Sequence, residues 1–302
     1  MPISKIVKPV SPELIHLTVL RTQRLSGRWM RVTLGGGEVD RFTPMGYDQW
    51  FRLFLPIGGE AGLERVPEKA NKVFGYLRFL RIPDGERPVM RNYTVRAHRA
   101  ATADAGAEID VDFVLHGSAG AGAERAPARR PDATAGPASR WAETCRPGEH
   151  VLVIDEGLCF NPARGEDRVV LVGDETALPA IAGICASLPA SASGRVVIEV
   201  ASQDDALAFP HPAGVEVQWV VRTEADAPGV GALQALRGLE LPDAPFHAYI
   251  AGEQALASGA RRLLVGERGV EKDRVSFTGY WKLGAASPAS KTAREAAARP
   301  VA

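Results

Sequence analysis

The arrangement of apolar residues changes near Asp167, and this change constrains the fold more than any other feature. Before it, dense short segments such as Ile109–Leu115 alternate apolar and polar residues, with turns between them and no convincing helix. After it, Val169–Val172 is continuously apolar and helix-length segments follow the strands, which is typical of a parallel sheet covered on both faces. We therefore predict an antiparallel β-barrel over residues 1–160 and a doubly wound α/β domain over residues 166–284.

Length and charge narrow the class of protein. A chain of 302 residues has room for two such domains, and its 36 basic and 36 acidic residues balance. The balance argues against nucleic acid as a partner, because phosphate binding needs a basic excess or a basic face. No apolar run approaches the ~20 residues of a membrane span, and the first residues contain no apolar export signal. We expect a cytoplasmic monomer.

The cysteines and histidines predict neither a disulfide framework nor a metal site. Cys145, Cys159 and Cys185 are an odd number, widely spaced and without a C-x-x-C pair, which fits reduced thiols. The histidines show no H-x-x-x-H or H-E-x-x-H spacing. We therefore expect no metal ligated by the protein, and an unreactive Cys159 because it has no partner thiol.

Two segments are expected to add little to either core. Residues 118–135 contain mainly Ala, Gly, Arg and Pro, which predicts a flexible insertion whose arginines either are solvated or assist an anionic ligand. Residues 285–302 form an Ala-rich tail. An isolated helix of that length is marginal in water, so the tail must dock or stay disordered.

The segment Arg91–Arg96, with the sequence RNYTVR, predicts a binding strand in the barrel. It offers an aromatic face for an isoalloxazine ring, a hydroxyl donor for a ring nitrogen and guanidinium groups for a pyrophosphate. An ordinary barrel strand with snorkelling arginines fits the same six residues. Further along, Ser139 is placed to cap a short helix whose first amides would suit a phosphate.

Five motifs in order along the chain resemble those of one family, the siderophore-interacting proteins, which are flavin-dependent ferric-siderophore reductases of the ferredoxin-reductase superfamily. These motifs are RNYTVR at 91–96, DFVLHG at 112–117, GPASRWA at 136–142, GDETALPAI at 173–181 and GYWK at 279–282. The resemblance implies an N-terminal barrel that binds FAD and a C-terminal domain that binds NADH or NADPH. It does not rest on a dinucleotide fingerprint, since no G-x-G-x-x-G is present.

The resemblance also implies roles for individual residues. Arg91 would reach the FAD phosphates, Tyr93 would lie against the flavin ring and Thr94 would lie near its reactive nitrogen. The pyrophosphate would be held by four further residues: His116, Gly117, Ala138 and Ser139. A strand-end histidine with a local hydrogen bond is the plainer interpretation of His116.

In the second domain, Thr176 and Ala177 would turn free helix amides toward the junction of nicotinamide and flavin. Trp281 would pack near the flavin, although a large aromatic residue is often plain core. Asp174 and Glu175 are neighbours on a turn, and we interpret them as shaping the fold rather than as an acid–base pair.

The substrate implied by the resemblance is a ferric siderophore, which is often anionic. The matching basic positions are Arg52, Arg140 and Lys282, each of which fits a solvated surface cation equally well. The choice of nicotinamide stays open: the acids at 204–205 favour NADH, while Arg222 favours NADPH. Two other functions remain compatible with the sequence, namely a ferredoxin- or flavodoxin-type reductase with a protein partner and a siderophore-binding module without electron transfer.

Overall fold

The computed structural model describes residues 6–10, 12–57, 59–115, 136–163, 165–223 and 225–285. His116, Gly117, the predicted insertion 118–135 and nearly all of the predicted tail lie outside the described residues. Within the described residues, no helix combines the length and the apolar character that crossing a bilayer requires.

The first domain is an antiparallel sheet of seven strands with two helices. Its side chains Phe51, Leu53, Val111 and Val153 are buried in one interior cluster. In chain order the elements are β1 (Leu14–Ser26), β2 (Trp29–Gly35), β3 (Trp50–Leu55), α1 (Val73–Leu80), β4 (Val89–Thr94), β5 (Ala97–Arg99), β6 (Glu108–Val114), α2 (Pro137–Thr144) and β7 (His150–Gly157).

One stretch of chain closes this sheet into a barrel by pairing with both of its ends. β4 pairs with β3, and the Val95 amide extends the pairing by donating to the Gln49 carbonyl at 2.8 Å. At the next residue, the Arg96 amide donates to the Asp110 carbonyl of β6 at 2.9 Å, and β5 then runs along β6. The strand order β4-β3-β7-β1-β2-β6-β5 therefore joins end to end, which confirms the predicted antiparallel barrel.

Helix α1 contradicts the expectation that the barrel region contains no helix. Gly75 and Phe79 are its buried residues, and Phe79 packs against Phe54 and Ile154 on the outer face of β3 and β7. Val73 and Phe74 are strongly exposed on the other side. Because apolar residues occupy both faces of this short helix, its sequence lacks the usual alternation of a buried and a polar face.

The second domain is a parallel sheet of five strands in the order β10-β9-β8-β11-β12. Buried apolar clusters cover both of its faces, as the continuous apolar strand had predicted. Its elements are β8 (Arg168–Gly173), α3 (Leu178–Ser187), β9 (Ser193–Val200), β10 (Gly214–Val221), α4 (Val230–Gly238), β11 (His247–Glu253), α5 (Gln254–Arg262) and β12 (Val275–Trp281).

The two domains meet closely at helix α3. The Tyr47 amide, in the loop before β3, donates to the Ser187 hydroxyl at 2.7 Å. A Cβ on Gly183 would lie 2.2 Å from the Tyr47 carbonyl oxygen, so only glycine lets the loop lie this near. Trp29 and Val114 of the barrel pack into the core cluster of the second domain. The sheets are therefore held together by apolar and hydrogen-bonded contacts at one junction.

Candidate active site

Strand β4 carries three of the predicted site residues, on two different faces. Arg91 lies opposite Leu53 and Tyr93 opposite Phe51, so both belong to the face that looks into the barrel. Thr94 lies opposite Trp50 and is buried on the other face. The structure thus brings Arg91 and Tyr93 together and turns Thr94 toward the second domain.

Tyr93 belongs to a row of aromatic rings. Its ring centroid lies 4.2 Å from that of Phe113, which lies 5.7 Å from that of Trp141 on α2. Burial raises the pKa of the Tyr93 hydroxyl, so the residue stays neutral at physiological pH. Phe113 and Trp141 are buried, so they support the partly exposed Tyr93 ring, which is the member of the row suited to stack on a planar ligand.

Arg91 is a half-buried cation with no carboxylate partner among the described residues. Its Nη1 donates to the Met90 carbonyl at 2.8 Å, and no carboxylate forms an ion pair with it in the described part of the chain. Burial lowers the pKa of this guanidinium below its usual range. A desolvated guanidinium with a single carbonyl partner is stabilised by an anion, so the residues at this position fit the pyrophosphate of FAD.

Helix α2 begins at Pro137, one turn earlier than a cap at Ser139 would require. The predicted cap is therefore wrong: Ser139 lies inside the first turn, where its hydroxyl donates to the Val114 carbonyl at 3.1 Å. Ala138 and Ser139 are both buried. Helix geometry leaves their amides without partners inside the helix, so this end of α2 still suits an anion.

Asp174 organises the start of the second domain. It is fully buried and accepts hydrogen bonds from the Thr176 amide at 2.9 Å, the Glu253 amide at 2.6 Å and Trp281 Nε1 at 2.9 Å. Burial raises the pKa of its carboxyl group to about 6. Trp281 is thus held at the end of β12 by Asp174.

The same hydrogen bonds overturn the expectation of free amides at Thr176 and Ala177. The Thr176 amide is bonded to the Asp174 side chain, and the Ala177 amide donates to the Asp174 carbonyl at 2.9 Å. Ala177 has 0% of its surface exposed, which leaves no atom of it available to a ligand. An aspartate side chain readily accepts a hydrogen bond from the amide two residues later, so the amides of this turn find their acceptors within the turn itself.

A row of hydroxyl groups crosses the domain junction, and the sequence did not reveal it. The hydroxyl oxygens of Tyr249 and Tyr280 are 2.6 Å apart. The Tyr280 side chain also lies near Thr94 of the barrel, and the Tyr249 side chain lies near Asp48. Asp48 accepts from the Phe160 amide at 2.9 Å, and burial raises the pKa of its carboxyl group to about 6.

The paired hydroxyl groups of Tyr249 and Tyr280 can exchange a proton with each other. Thr94 and Tyr280 come from different domains, far apart in the chain, so no local spacing indicates their contact. The signal that existed was position: Tyr280 lies near the carboxyl end of a parallel strand, where ligands of this fold class bind.

The three predicted substrate cations differ in how free they are. Arg52 is held by Glu156, with Nε 2.7 Å from Oε1, and Glu156 also pairs with Lys8 at 3.0 Å. Neither Arg140 on α2 nor the exposed Lys282 after β12 forms an ion pair with any residue that the structure describes. Of the three, Arg52 is therefore already neutralised by a carboxylate, whereas Arg140 and Lys282 have no acidic partner among the described residues.

Arg222 is not free for a 2′-phosphate. Its guanidinium lies 2.9 Å from Glu175 Oε1 and 3.0 Å from Glu199 Oε1, and only 14% of its side chain is exposed. Glu199 also accepts from the Gly229 amide at 2.7 Å. The argument for NADPH from Arg222 is thus lost, because two carboxylates already neutralise it.

In the same described residues, no group of three or more His, Cys, Asp or Glu side chains could hold a metal ion.

Two family models match the chain, one on each domain. The model described as "Siderophore-interacting FAD-binding domain" matches residues 18–158, and the model described as "Siderophore-interacting protein" matches residues 166–284. Solved structures of the family have the same fold: a siderophore utilization protein from T. fusca is 29% identical, with a TM-score of 0.72 over 93% of this chain and 98% of that one.

Curated relatives agree over nearly the whole length. An uncharacterized protein of Mycobacterium tuberculosis is 32% identical over 276 residues, which are 88% of this chain and 89% of that protein. The protein named ferric vibriobactin reductase ViuB of Vibrio cholerae is 28% identical over 92% of both chains. The two-domain architecture and these matches lead to one conclusion: the chain belongs to the siderophore-interacting protein family and is an FAD- and NAD(P)H-dependent oxidoreductase.

Proposed function

We propose that the protein reduces ferric siderophores, moving electrons from NADH or NADPH through FAD to Fe(III) and so releasing Fe(II) for iron assimilation. The observation that carries this proposal is the half-buried Arg91, which has no carboxylate partner in the described chain and lies on the same face of β4 as Tyr93. A strand that provides both an aromatic wall and an unneutralised cation is suited to a flavin dinucleotide. The relative named ferric vibriobactin reductase supports the choice of substrate class.

The division of labour between the domains is part of the proposal. Residues 1–160 would hold FAD, and residues 166–284 would hold the nicotinamide, with the junction of the two at Thr94 and Tyr280. The chemistry supplied by bound FAD is acceptance of a hydride from NAD(P)H and release of single electrons to iron. Arg91 and the first turn of α2 bind the phosphates, while Tyr93 orients the ring and excludes water from one side. Trp281, held by Asp174, would cover the ring from the second domain.

The proposed substrate contacts are electrostatic. Lys282 and Arg140 would attract an anionic ferric siderophore, and Arg52 would join them only by sharing its guanidinium with Glu156. Siderophores hold iron through hard oxygen ligands, which suit Fe(III) far better than Fe(II), so reduction loosens the metal. The three unpaired cysteines and the need for reduced nicotinamide support a cytoplasmic location.

The decisive experiment follows the flavin spectrum without oxygen. Protein loaded with FAD is reduced with NADH or NADPH, and ferric siderophores are then added. We expect bleaching by one nicotinamide, rapid reoxidation by the ferric chelate and formation of Fe(II) trapped by a ferrous chelator. Reduced protein that no ferric chelate reoxidises, but that a ferredoxin or flavodoxin does, would replace the proposed substrate with a protein partner. Colourless protein that takes up no FAD would indicate a binding module instead.

A further inference from the structure

Helix α1 presents an apolar surface to solvent. The exposed fractions are 73% for Val73, 83% for Phe74, 48% for Leu77 and 43% for Leu80. We call these four residues the α1 surface. The opposite side of the helix is anchored in the barrel, since Phe79 is buried against Phe54. Isolated exposed apolar residues are common, but four on one face of an eight-residue helix form a patch of the kind that marks a docking site.

The α1 surface is surrounded by cations. Lys69, Lys72, Arg78 and Arg81 are exposed, and none of them forms an ion pair with any residue in the described ranges. The sequence from residue 69 to residue 83 contains no aspartate or glutamate. Acids stand just outside this range at Glu68 and Asp84, and Asp84 is paired with Arg87, so the excess of positive charge is confined to the helix and its two ends.

The chemistry of the surface selects its partner. A second copy of the chain docked symmetrically would place these cations against the same cations, which is unfavourable. An apolar ligand alone would leave the cations without a role. An anionic lipid bilayer satisfies both features, because acyl chains accept the apolar face while lipid phosphates neutralise lysine and arginine. We propose that the α1 surface docks the protein on the surface of membranes that contain anionic phospholipids.

The position of α1 gives this docking a consequence for the proposed reaction. Met90 packs against the core cluster beneath α1, and its sulfur lies 4.0 Å from Arg52 Nη1. The docking surface and the proposed substrate cation Arg52 therefore share one wall of the barrel. If the proposed function holds, docking brings that wall to the bilayer, where a siderophore with an acyl tail would partition. Lipid binding itself does not depend on the proposed function and is tested without nicotinamide or iron.

The test is sedimentation of the FAD-loaded protein with vesicles of phosphatidylcholine alone or of phosphatidylcholine mixed with phosphatidylglycerol. We expect binding to the mixed vesicles at least about 10-fold tighter than to the neutral ones, and weaker in high salt. The double variant Phe74→Ser, Leu77→Ser should lose about 10-fold in affinity for mixed vesicles. The double variant Lys72→Glu, Arg78→Glu should bind both kinds of vesicle equally weakly.

Matched controls keep the result specific to the α1 surface. Val10→Ser with Val221→Ser removes two exposed apolar residues elsewhere, and Arg195→Glu with Arg237→Glu makes the same change in net charge. Both control proteins should bind mixed vesicles as the parent does. Failure of the parent to bind any vesicle overturns the proposal, as does equal loss in the control and α1 variants. A dimer in solution that the Phe74 and Leu77 changes dissociate, with no vesicle binding, would assign the surface to a second copy.

Discussion

Two groups of arginines in the barrel differ in whether a carboxylate forms an ion pair with them in the described chain. On the β6 side, Arg31 Nε lies 2.6 Å from Asp112 Oδ1, and Arg99 Nη2 lies 2.7 Å from Asp110 Oδ1. On the β4 side, burial lowers the pKa of Arg91, and the one partner that its guanidinium has among the described residues is the Met90 carbonyl. An arginine paired with a carboxylate holds neighbouring strands together, whereas an arginine without such a partner remains able to bind an anionic ligand.

The degree of pairing is visible in the ionisation of the arginines. The hydrogen bonds that Arg31 donates to Asp112 raise the pKa of Arg31. Burial lowers the pKa of Arg96, although Asp112 Oδ2 lies 3.6 Å from its Nε. Asp112 therefore interacts strongly with Arg31 and only weakly with Arg96. Burial also lowers the pKa of Arg91, and no acid opposes it in the described chain. In the described chain the three residues form a series from a strongly paired cation to one with no carboxylate partner.

The largest effect is expected where a paired acid is removed. Asp112→Asn leaves Arg31 and Arg96 with a neutral partner, and because these arginines are partly exposed we expect a loss of about 2–3 kcal/mol in unfolding free energy. Urea unfolding of the apoprotein measures it. Glu143→Gln, which removes an exposed pair with Arg24, should cost no more than ~1 kcal/mol. An Asp112→Asn protein that loses FAD affinity but keeps its stability would contradict the distinction between paired and unpaired arginines.

Removing the unpaired cation should do the reverse. Arg91→Met should lower FAD affinity by about 10- to 100-fold, the equivalent of one charge-assisted hydrogen bond, and leave stability nearly unchanged or improved. Fluorescence titration of the apoprotein with FAD gives the dissociation constant. Arg24→Met serves as the control because Arg24 pairs with Glu143 on the surface. Unaltered FAD affinity in Arg91→Met would remove the residue from the cofactor site.

The same contrast holds for carboxylates and gives a pH dependence. Burial without a cation raises the pKa of Asp48 to about 6, while the hydrogen bond from Arg21 lowers the pKa of Glu108 to about 2. Between about pH 4 and 6 the native protein holds the Asp48 proton more tightly than the unfolded chain, so this stability contribution falls as pH rises. The contribution of Glu108 is present above about pH 4.5 and is lost as pH falls toward 2.

Replacing each acid by its amide separates the two trends. Asp48→Asn should remove a decrease of up to about 2 kcal/mol in stability between pH 4 and 6, so the variant gains on the parent as pH rises. Glu108→Gln should lose stability relative to the parent as the pH rises from about 2 to 4.5. Urea unfolding at several pH values measures both. A parent and an Asp48→Asn protein with parallel stability profiles would show that Asp48 titrates normally.

The smallest effect is expected at the exposed cation. Lys282→Ala should keep FAD and slow iron reduction by about 2- to 5-fold, since an exposed ion contact contributes at most ~1 kcal/mol. High salt should erase the difference, because the attraction is screened. Stopped-flow reoxidation of the reduced flavin by ferric siderophore measures the rate, with Lys272→Ala as the control. Normal kinetics in Lys282→Ala would leave Arg140 as the cation to test next.

The fold was predictable to the extent that its signals are local. Alternation identified the barrel strands, and the continuous apolar run at Val169–Val172 identified the parallel sheet. Helix α1 was not predicted because its exposed face is as apolar as its buried face.

The site was predictable only in part, for the same physical reason. Residues of RNYTVR carry chemistry that can be read from their types, so Arg91 and Tyr93 could be singled out. The free amides expected at Thr176 and Ala177 were not free, because Asp174 satisfies them within the same turn. The Thr94–Tyr280 contact joins two domains, and pairing at that distance leaves no trace in either segment.

The position of β7 in the barrel also bears on how the chain acquires its structure during synthesis. β7 is the last barrel strand in the sequence, yet it lies between β1 and β3 and pairs with both. Strands β1 and β3 therefore lack their hydrogen-bonding partner on that side until residue 157 has emerged from the ribosome. By then only a short link remains before β8. The barrel therefore depends on sequence-distant pairing, and we expect it to fold slowly and to be the step most exposed to chaperones.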